Sequence, residues 1–364
     1  MGDDPIDRAV RLHGEALAAL EDERLDAALT AAAGALALFE RESGPGHPDV
    51  ANVLNCLARV HERRTDWREA EACSRRSVAI VRRVREQAAG ADLDRLQVQS
   101  LTAHGEALRA LGRYAEAEER LREALAGGEA LGEADEDLVT ALNALGVLCK
   151  YSGRFDEAAA LYARAVRIVE AGAGPDAPEL ATLLHNLGGL EHARGDYARG
   201  EAPARRSVEI RERALGPDHP AVAADLAALA AIDDGQGRRG EAEAMYLRAL
   251  RIFERAYGPG HYEVAVNLNN LAGIRHAEGR LEDAEAMYRR SLAVKERLFG
   301  PDHPDVALTL NNLGLLLADA GRLDEAAALY ERALRTFEAC LPHDHPKVKG
   351  CRENYEALRH KASS

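Results

Sequence analysis

The chain has 364 residues, of which 46% are hydrophobic but only 4% aromatic, with 30% charged and a formal net charge of −14. That length exceeds what one globular core normally fills, so the chain either divides or grows along one axis. The acidity argues against a general nucleic-acid binder and against an anionic membrane surface, since both need basic stripes.

The start, Met1-Gly2-Asp3-Asp4-Pro5, is acidic with no apolar run behind it, so no secretory leader is expected. No later stretch approaches the roughly 18 uninterrupted apolar residues of a membrane span. The spacing predicts a first helix pair over about Ile6 to Glu42, with a longer turn at 21–24. Beyond it the block Gly-Pro-Asp-His-Pro stands at 216–220 and 300–304, with variants at 174–178 and 258–262. Pro175, Pro217, Pro259 and Pro301 are 42 residues apart without a break. A fixed period of this size marks a solenoid, in which each repeat packs on its neighbours.

The period divides one solenoid domain, 1–364, into a degenerate first repeat (5–47) and repeats at 48–90, 91–132, 133–174, 175–216, 217–258, 259–300 and 301–342. About five residues are inserted around 87–94. A last helix from Pro346, in segment 343–364, replaces apolar repeat positions with Lys349, Arg352, Glu353 and Glu356, as a polar cap should.

The repeat from Pro301 shows how each unit is built. Pro304 suits a first helical turn and Asp305 its positive end. Val306, Leu310, Leu313 and Leu317 follow at helical spacing, and Gly321 ends the helix. A second helix is expected from near Asp324 to about Cys340, with Leu323, Ala326, Leu329, Tyr330, Ala333, Leu334 and Phe337 on one stripe. Small residues stand where the two helices should touch: Gly146, Gly188, Ala230, Ala272 and Gly314 on the first helices, and Ala158, Gly200, Ala242, Ala284 and Ala326 on the second.

The pattern Leu310, Leu313, Gly314, Leu317, Gly321, Leu323, Ala326, Tyr330, Ala333 resembles the tetratricopeptide repeat. The 42-residue form, with Gly-Pro-Asp-His-Pro and Leu-Asn-Asn-Leu, resembles the subtype of kinesin light chains and many bacterial regulators. Gly200-Glu201-Ala202-Pro203 is similar to a kinesin light chain feature at the same place. The resemblance implies an all-α, right-handed α-solenoid (superhelix) of about eight helix pairs plus a C-terminal capping helix, with the first helices lining a concave face. It also implies a protein or peptide partner.

Signals for chemistry are weak by comparison. Gly235-x-Gly237-x-x-Gly240 matches a dinucleotide fingerprint, but it falls between two expected helices with no strand before it. His47, His219, His303 and His345 belong to the inter-repeat block and read as turn residues. Cys340, His343, His345 and Cys351 are metal-ligand types at no recognised spacing. Glu116, Glu118 and Glu119 read as a solvated helix face. No catalytic residue, cofactor or metal is therefore assigned, and the chain is not expected to be an enzyme. Five cysteines, odd in number and mostly at apolar helix positions, suit a reduced, cytoplasmic protein.

The expected site is the concave face. It carries Asn143, Asn186, Asn269, Asn270, Asn311 and Asn312, with Asn55 earlier and Asn354 in the cap, His185 beside them, and Lys150, His192 and His276 one turn further on. Asparagine is a poor interior helix residue, yet it recurs beside the packing leucines at one register. A row of carboxamides can pair with the backbone of an extended peptide, and the resemblance to kinesin light chains implies that use. The other reading is that the amides bond between neighbouring first helices and stiffen the stack. Function is thus expected to be that of an interaction scaffold or adaptor for a partner's extended segment, with a regulatory or sensor module that changes shape as the alternative. Self-association through the convex face or the first pair stays open.

Overall fold

A computed structural model describes residues 4–362. Residues 1–3, part of the acidic start, and 363–364, the end of the expected cap, lie outside the described residues. Among the described residues there are 17 α-helices and no strand. They fall into two compact units, Met1–Leu148 and Cys149–Ser364.

The first unit contains α1 (Pro5–Glu21), α2 (Leu25–Glu42), α3 (Pro48–Arg63), α4 (Trp67–Arg85), α5 (Ala91–Ala110), α6 (Tyr114–Leu131) and most of α7 (Glu136–Tyr151). The second contains α8 (Phe155–Ala173), α9 (Leu180–Arg194), α10 (Tyr197–Leu215), α11 (Pro220–Gly235), α12 (Arg239–Tyr257), α13 (Tyr262–Ala277), α14 (Leu281–Phe299), α15 (Pro304–Asp319), α16 (Leu323–Cys340) and α17 (Pro346–Ala362). Within each unit consecutive helices pack as antiparallel pairs, and each pair packs on the next. The chain is an all-α solenoid.

The histidines of the inter-repeat block are helix caps. Nδ1 of His219 accepts the backbone N–H of Ala221 at 3.1 Å, and Nδ1 of His303 accepts that of Asp305 at 3.1 Å. His47, His261 and His345 do the same for Asp49, Glu263 and Lys347. An imidazole here takes the place of the usual Ser or Asp side chain on an orphan donor. The block is also clamped from outside: Arg248 donates to the Pro217 carbonyl at 2.6 Å and Arg332 to the Pro301 carbonyl at 3.2 Å.

From α5 onward the turn between the helices of a pair is made by glycine with positive φ, at 78° for Gly321 and 82° for Gly237, whereas the first two pairs use Glu23 and Thr65 at φ 56° and 62°. Gly237 therefore serves as a turn residue, and the Gly-x-Gly-x-x-Gly run spans the end of α11 and the start of α12. The small residues do sit where the pair closes. A methyl group at Gly188 would lie 3.0 Å from the Ala204 Cβ, and one at Gly105 would lie 2.5 Å from the Leu121 Cγ. Successive pairs are laced by ion pairs at one register, Glu201 to Arg238 at 3.1 Å and Glu285 to Arg322 at 2.7 Å.

The candidate binding face

Helix spacing decides which side is inner. In the second unit α9, α11, α13, α15 and α17 approach one another in turn, while successive even-numbered helices make no comparable approach. The stack therefore curves with its odd-numbered helices on the inside, and the expected site residues from His185 onward lie on those helices.

The structure brings five of the expected asparagines together, Asn354 of the cap among them. Asn354 Nδ2 donates to Asn311 Oδ1 at 3.1 Å, and Asn312 Nδ2 donates to Asn269 Oδ1 at 3.4 Å. Within each helix Asn269 Nδ2 reaches Asn270 Oδ1 at 3.4 Å, and Asn311 Nδ2 reaches Asn312 Oδ1 at 3.5 Å. These amides form a relay across α13, α15 and α17, mostly at the long limit for a hydrogen bond. Asn269 is buried, whereas Asn270, Asn311 and Asn312 are half-buried. Each relay bond uses one N–H of an amide that carries two.

The histidines are engaged differently. His185 Nδ1 lies 2.9 Å from Asp225 Oδ1, and Arg211 Nε donates to the other oxygen of that carboxylate at 2.6 Å. Asp225 is 1% exposed, so it forms an interior ion pair with Arg211, and His185 bonded to the same carboxylate ties α9 to α10 and α11. His276 Nε2 lies 3.0 Å from Asp319 Oδ2. The ring of His192 lies 5.5 Å from that of Tyr197, and Lys150 Nζ is 5.3 Å from the centroid of the Tyr151 ring. Asn143 and Asn186 are half-buried on α7 and α9, and Asn143 belongs to the first unit. In the second unit Ala224, Ala227, Ala228 and Ala231 of α11 are all half-buried, which leaves an apolar step between the polar groups of α9 and α13.

Two constellations on this fold are not evident from the repeat pattern. In the second unit Tyr262 Oη donates to Asp305 Oδ2 at 2.6 Å, and Lys295 Nζ donates to Thr309 Oγ1 at 2.9 Å. Burial lowers Lys295 to about 8, with Asp305 pulling the other way. Burial pushes Asp305 up, but His303, Lys295, Lys347 and the Tyr262 hydroxyl outweigh it and hold the carboxyl at about 2. His345 Nε2 meets the Tyr151 carbonyl at 2.9 Å, and Lys347 Nζ lies 5.4 Å from the centroid of the Tyr151 ring. The signal available was composition: 47 basic residues include only five lysines, three of which, Lys150, Lys295 and Lys347, gather here.

The first unit holds a pair of carboxyls on α3 and α5, Glu62 and Glu106. Glu62 Oε1 is shut off from solvent and has no hydrogen-bond partner. Burial, and then Glu106, raise Glu62 to about 8, against Arg109, Arg59 and Arg63. A carboxyl raised in the folded state stabilises below its unfolded value and loses that contribution as pH rises through about 8. Glu62→Gln is therefore expected to raise the melting temperature at pH 9 and much less at pH 5.5. Equal effects at both pH values would refute this.

The residues with metal-ligand chemistry are apart in role: His343 is exposed, His345 holds Tyr151, and Cys351 is buried against the Tyr330 carbonyl. Among the described residues no group of three or more His, Cys, Asp or Glu is placed to hold a metal. No described helix is long and apolar enough to cross a membrane.

Comparison with known families matches the tetratricopeptide repeat at residues 7–83, 96–171, 179–255, 235–297 and 263–339, which is most of the chain. The chain is a tetratricopeptide repeat protein. No curated protein sequence is matched. Among solved structures, a Rap protein complexed with competence and sporulation factor is similar at TM-score 0.63 and 15% identity, over 86% of this chain and 89% of its own. BtubC (BKLC) from P. vanneervenii is similar at 24% identity and TM-score 0.44, over 64% of this chain and 91% of its own. A kinesin light chain structure of nearly identical repeats from Podosopora anserina is similar at 20% identity and TM-score 0.41, over 54% and 94%. The tetratricopeptide repeats thus account for both the period and the paired helices.

Proposed function

We propose that this tetratricopeptide repeat protein is an interaction scaffold whose inner face in the second unit holds an extended segment of a partner protein. The observation that carries the reading is the amide relay of α13, α15 and α17. Its bonds are long, it sits on the inner side of the curve, and each amide keeps a second N–H that the relay does not use. A peptide backbone presents alternating carbonyl and N–H groups that such amides can pair with, without demanding particular side chains. Around them, His276 with Asp319, Lys150 and His192 give a face of mixed sign, which suits a segment without a strong net charge. Affinity is expected to be micromolar, about −8 kcal/mol.

The test is a peptide selected from a random displayed library on the intact chain and then titrated against wild type and the triple variant Asn186→Ala, Asn270→Ala, Asn312→Ala. Binding is expected to weaken by about tenfold or more, the equivalent of one to two neutral hydrogen bonds. Thermal unfolding should barely move, because the relay bonds lost with Asn270 and Asn312 are long and alanine is the better helix former. Unchanged affinity with a clear loss of stability would assign the amides to stiffening alone.

The contact between His345 and Tyr151 favours a second reading, in which a ligand changes the shape of the second unit. Its mark would be a change in radius of gyration by scattering when the selected peptide is added.

A further inference from the structure

His104 breaks the repeat. The position before the small residue is Leu57, Leu145, Leu187, Leu229, Leu271 and Leu313 in α3, α7, α9, α11, α13 and α15, with Glu15 in the degenerate α1, yet α5 places an imidazole there. His104 is buried, at 9% exposure, and neither ring nitrogen makes a hydrogen bond. Its nearest charged group, Glu71 Oε1, is 3.5 Å from Nε2 and is already shared with Arg113. Burial lowers the His104 pKa, with Glu71 opposing, so the ring is neutral near pH 7 and offers one donor and one acceptor.

The ring lines a cavity of about 590 Å³ between α4 and α6, with α5 as its floor. That volume is of the size that takes small molecules. Val78, Ala79 and Leu108 give it an apolar wall. Its charged lining is five arginines, Arg75, Arg82, Arg83, Arg113 and Arg120, against three glutamates, which makes it locally positive in a chain of net charge −14. Arg113 and Arg120 are held by Glu116 and Glu123, but Arg83 makes no ion pair among the described residues, and Arg75 reaches only Glu71, at 3.8 Å. The cavity thus offers an uncommitted guanidinium at Arg83 and a buried imidazole whose one carboxylate neighbour, Glu71, stands off at 3.5 Å.

We propose that this cavity binds a small organic phosphate, its phosphate met by Arg75 and Arg83 of α4 and a hydroxyl of its body bonded to His104. The site is separate from the amide relay, lies wholly in the first unit, and stands independently of the peptide reading. Guanidinium is the side chain best matched to phosphate oxygens.

The experiment titrates the intact chain with glycerol 3-phosphate, glucose 6-phosphate, inorganic phosphate and succinate at low ionic strength, by calorimetry and by NMR of labelled histidine. At least one sugar or polyol phosphate is expected to bind more tightly than inorganic phosphate and to shift the His104 signal. His104→Leu, which restores the side chain found at this register in α3, α7, α9, α11, α13 and α15, should melt no lower than wild type and bind at least about tenfold more weakly. Arg83→Gln, an exposed substitution that leaves the fold alone, should also weaken binding and reduce its salt dependence. Undiminished binding by both variants, or no His104 shift with any phosphate, would overturn the proposal. Tighter binding of succinate than of every phosphate would overturn the phosphate assignment.

Discussion

Asp305→Ala is expected to lower stability by about 3–5 kcal/mol, the cost of removing one partner from a buried ionic cluster. Its carboxylate accepts the Tyr262 hydroxyl and faces Lys295, which is 2% exposed and bonded to Thr309. Without it, two cations lose their counter-charge and a buried phenol loses its acceptor. The Lys295 ammonium, already lowered to about 8, should then drop further, since Asp305 is what raises it. Urea unfolding followed by circular dichroism gives the first quantity and NMR of the lysine side chain the second. Adding Lys295→Met to the variant should recover much of the loss, because an apolar side chain needs no counter-charge. A loss below about 1 kcal/mol would show that these groups do not act as one cluster.

Tyr330→Ala is expected to cost a similar amount, about 3–5 kcal/mol, for a different reason: the cavity left by a large buried ring. Tyr330 is 1% exposed, and its ring is so close to α15 that a methyl group at Gly314 would lie 3.1 Å from it. The same register carries Tyr162, Tyr246 and Tyr288, while the pair at 175–216 carries Ala204. That pair manages without a ring because Gly188 and Gly200 let α9 and α10 close on each other. Gly314 faces α16 in its own pair, whose other close-approach residue is Ala326, so α15 and α16 have less freedom to close. Hydrogen exchange should accelerate first in α15, α16 and α17, since a solenoid loses order locally before it unfolds as a whole. A uniform change along the chain, or a loss under about 1 kcal/mol in urea, would count against this account.

The fold was legible because its determinants are local and repeated. Pro304, Gly321 and the Leu313–Gly314 step each act within one helix pair, so spacing alone predicts a helix near Pro304 and another near Asp324, and α15 and α16 begin at Pro304 and Leu323. The interruptions are accommodated locally: α10 runs through Pro203, and the extra residues near 87–94 lie across the connection after α4 and the first turn of α5. The site was legible only as a face. Counting places Asn269, Asn311 and Asn312 on one register, but whether an amide points to its neighbour or to a ligand depends on separations of a few tenths of an ångström between helices 43 residues apart. His185 had no visible partner because Asp225 lies 40 residues away on another helix. His104 could have been found, since it departs from the leucine of its register, whereas its missing hydrogen bonds could not.

The bond between His345 and Tyr151 spans 194 residues, with Lys347 against the same tyrosine ring, whereas the contacts that build the stack join neighbouring helices. A stack joined only to its neighbours behaves as a linear chain of units, and its last helix can fray at little cost to the rest. This bond closes a long loop, so α17 cannot leave without releasing the turn after α7, and the loop-closure entropy falls due only when the intervening helices are already ordered. Cooperativity in the second unit should therefore exceed what the pairwise interfaces alone would give, with the final helix acting as a clasp that reports on every repeat it encloses.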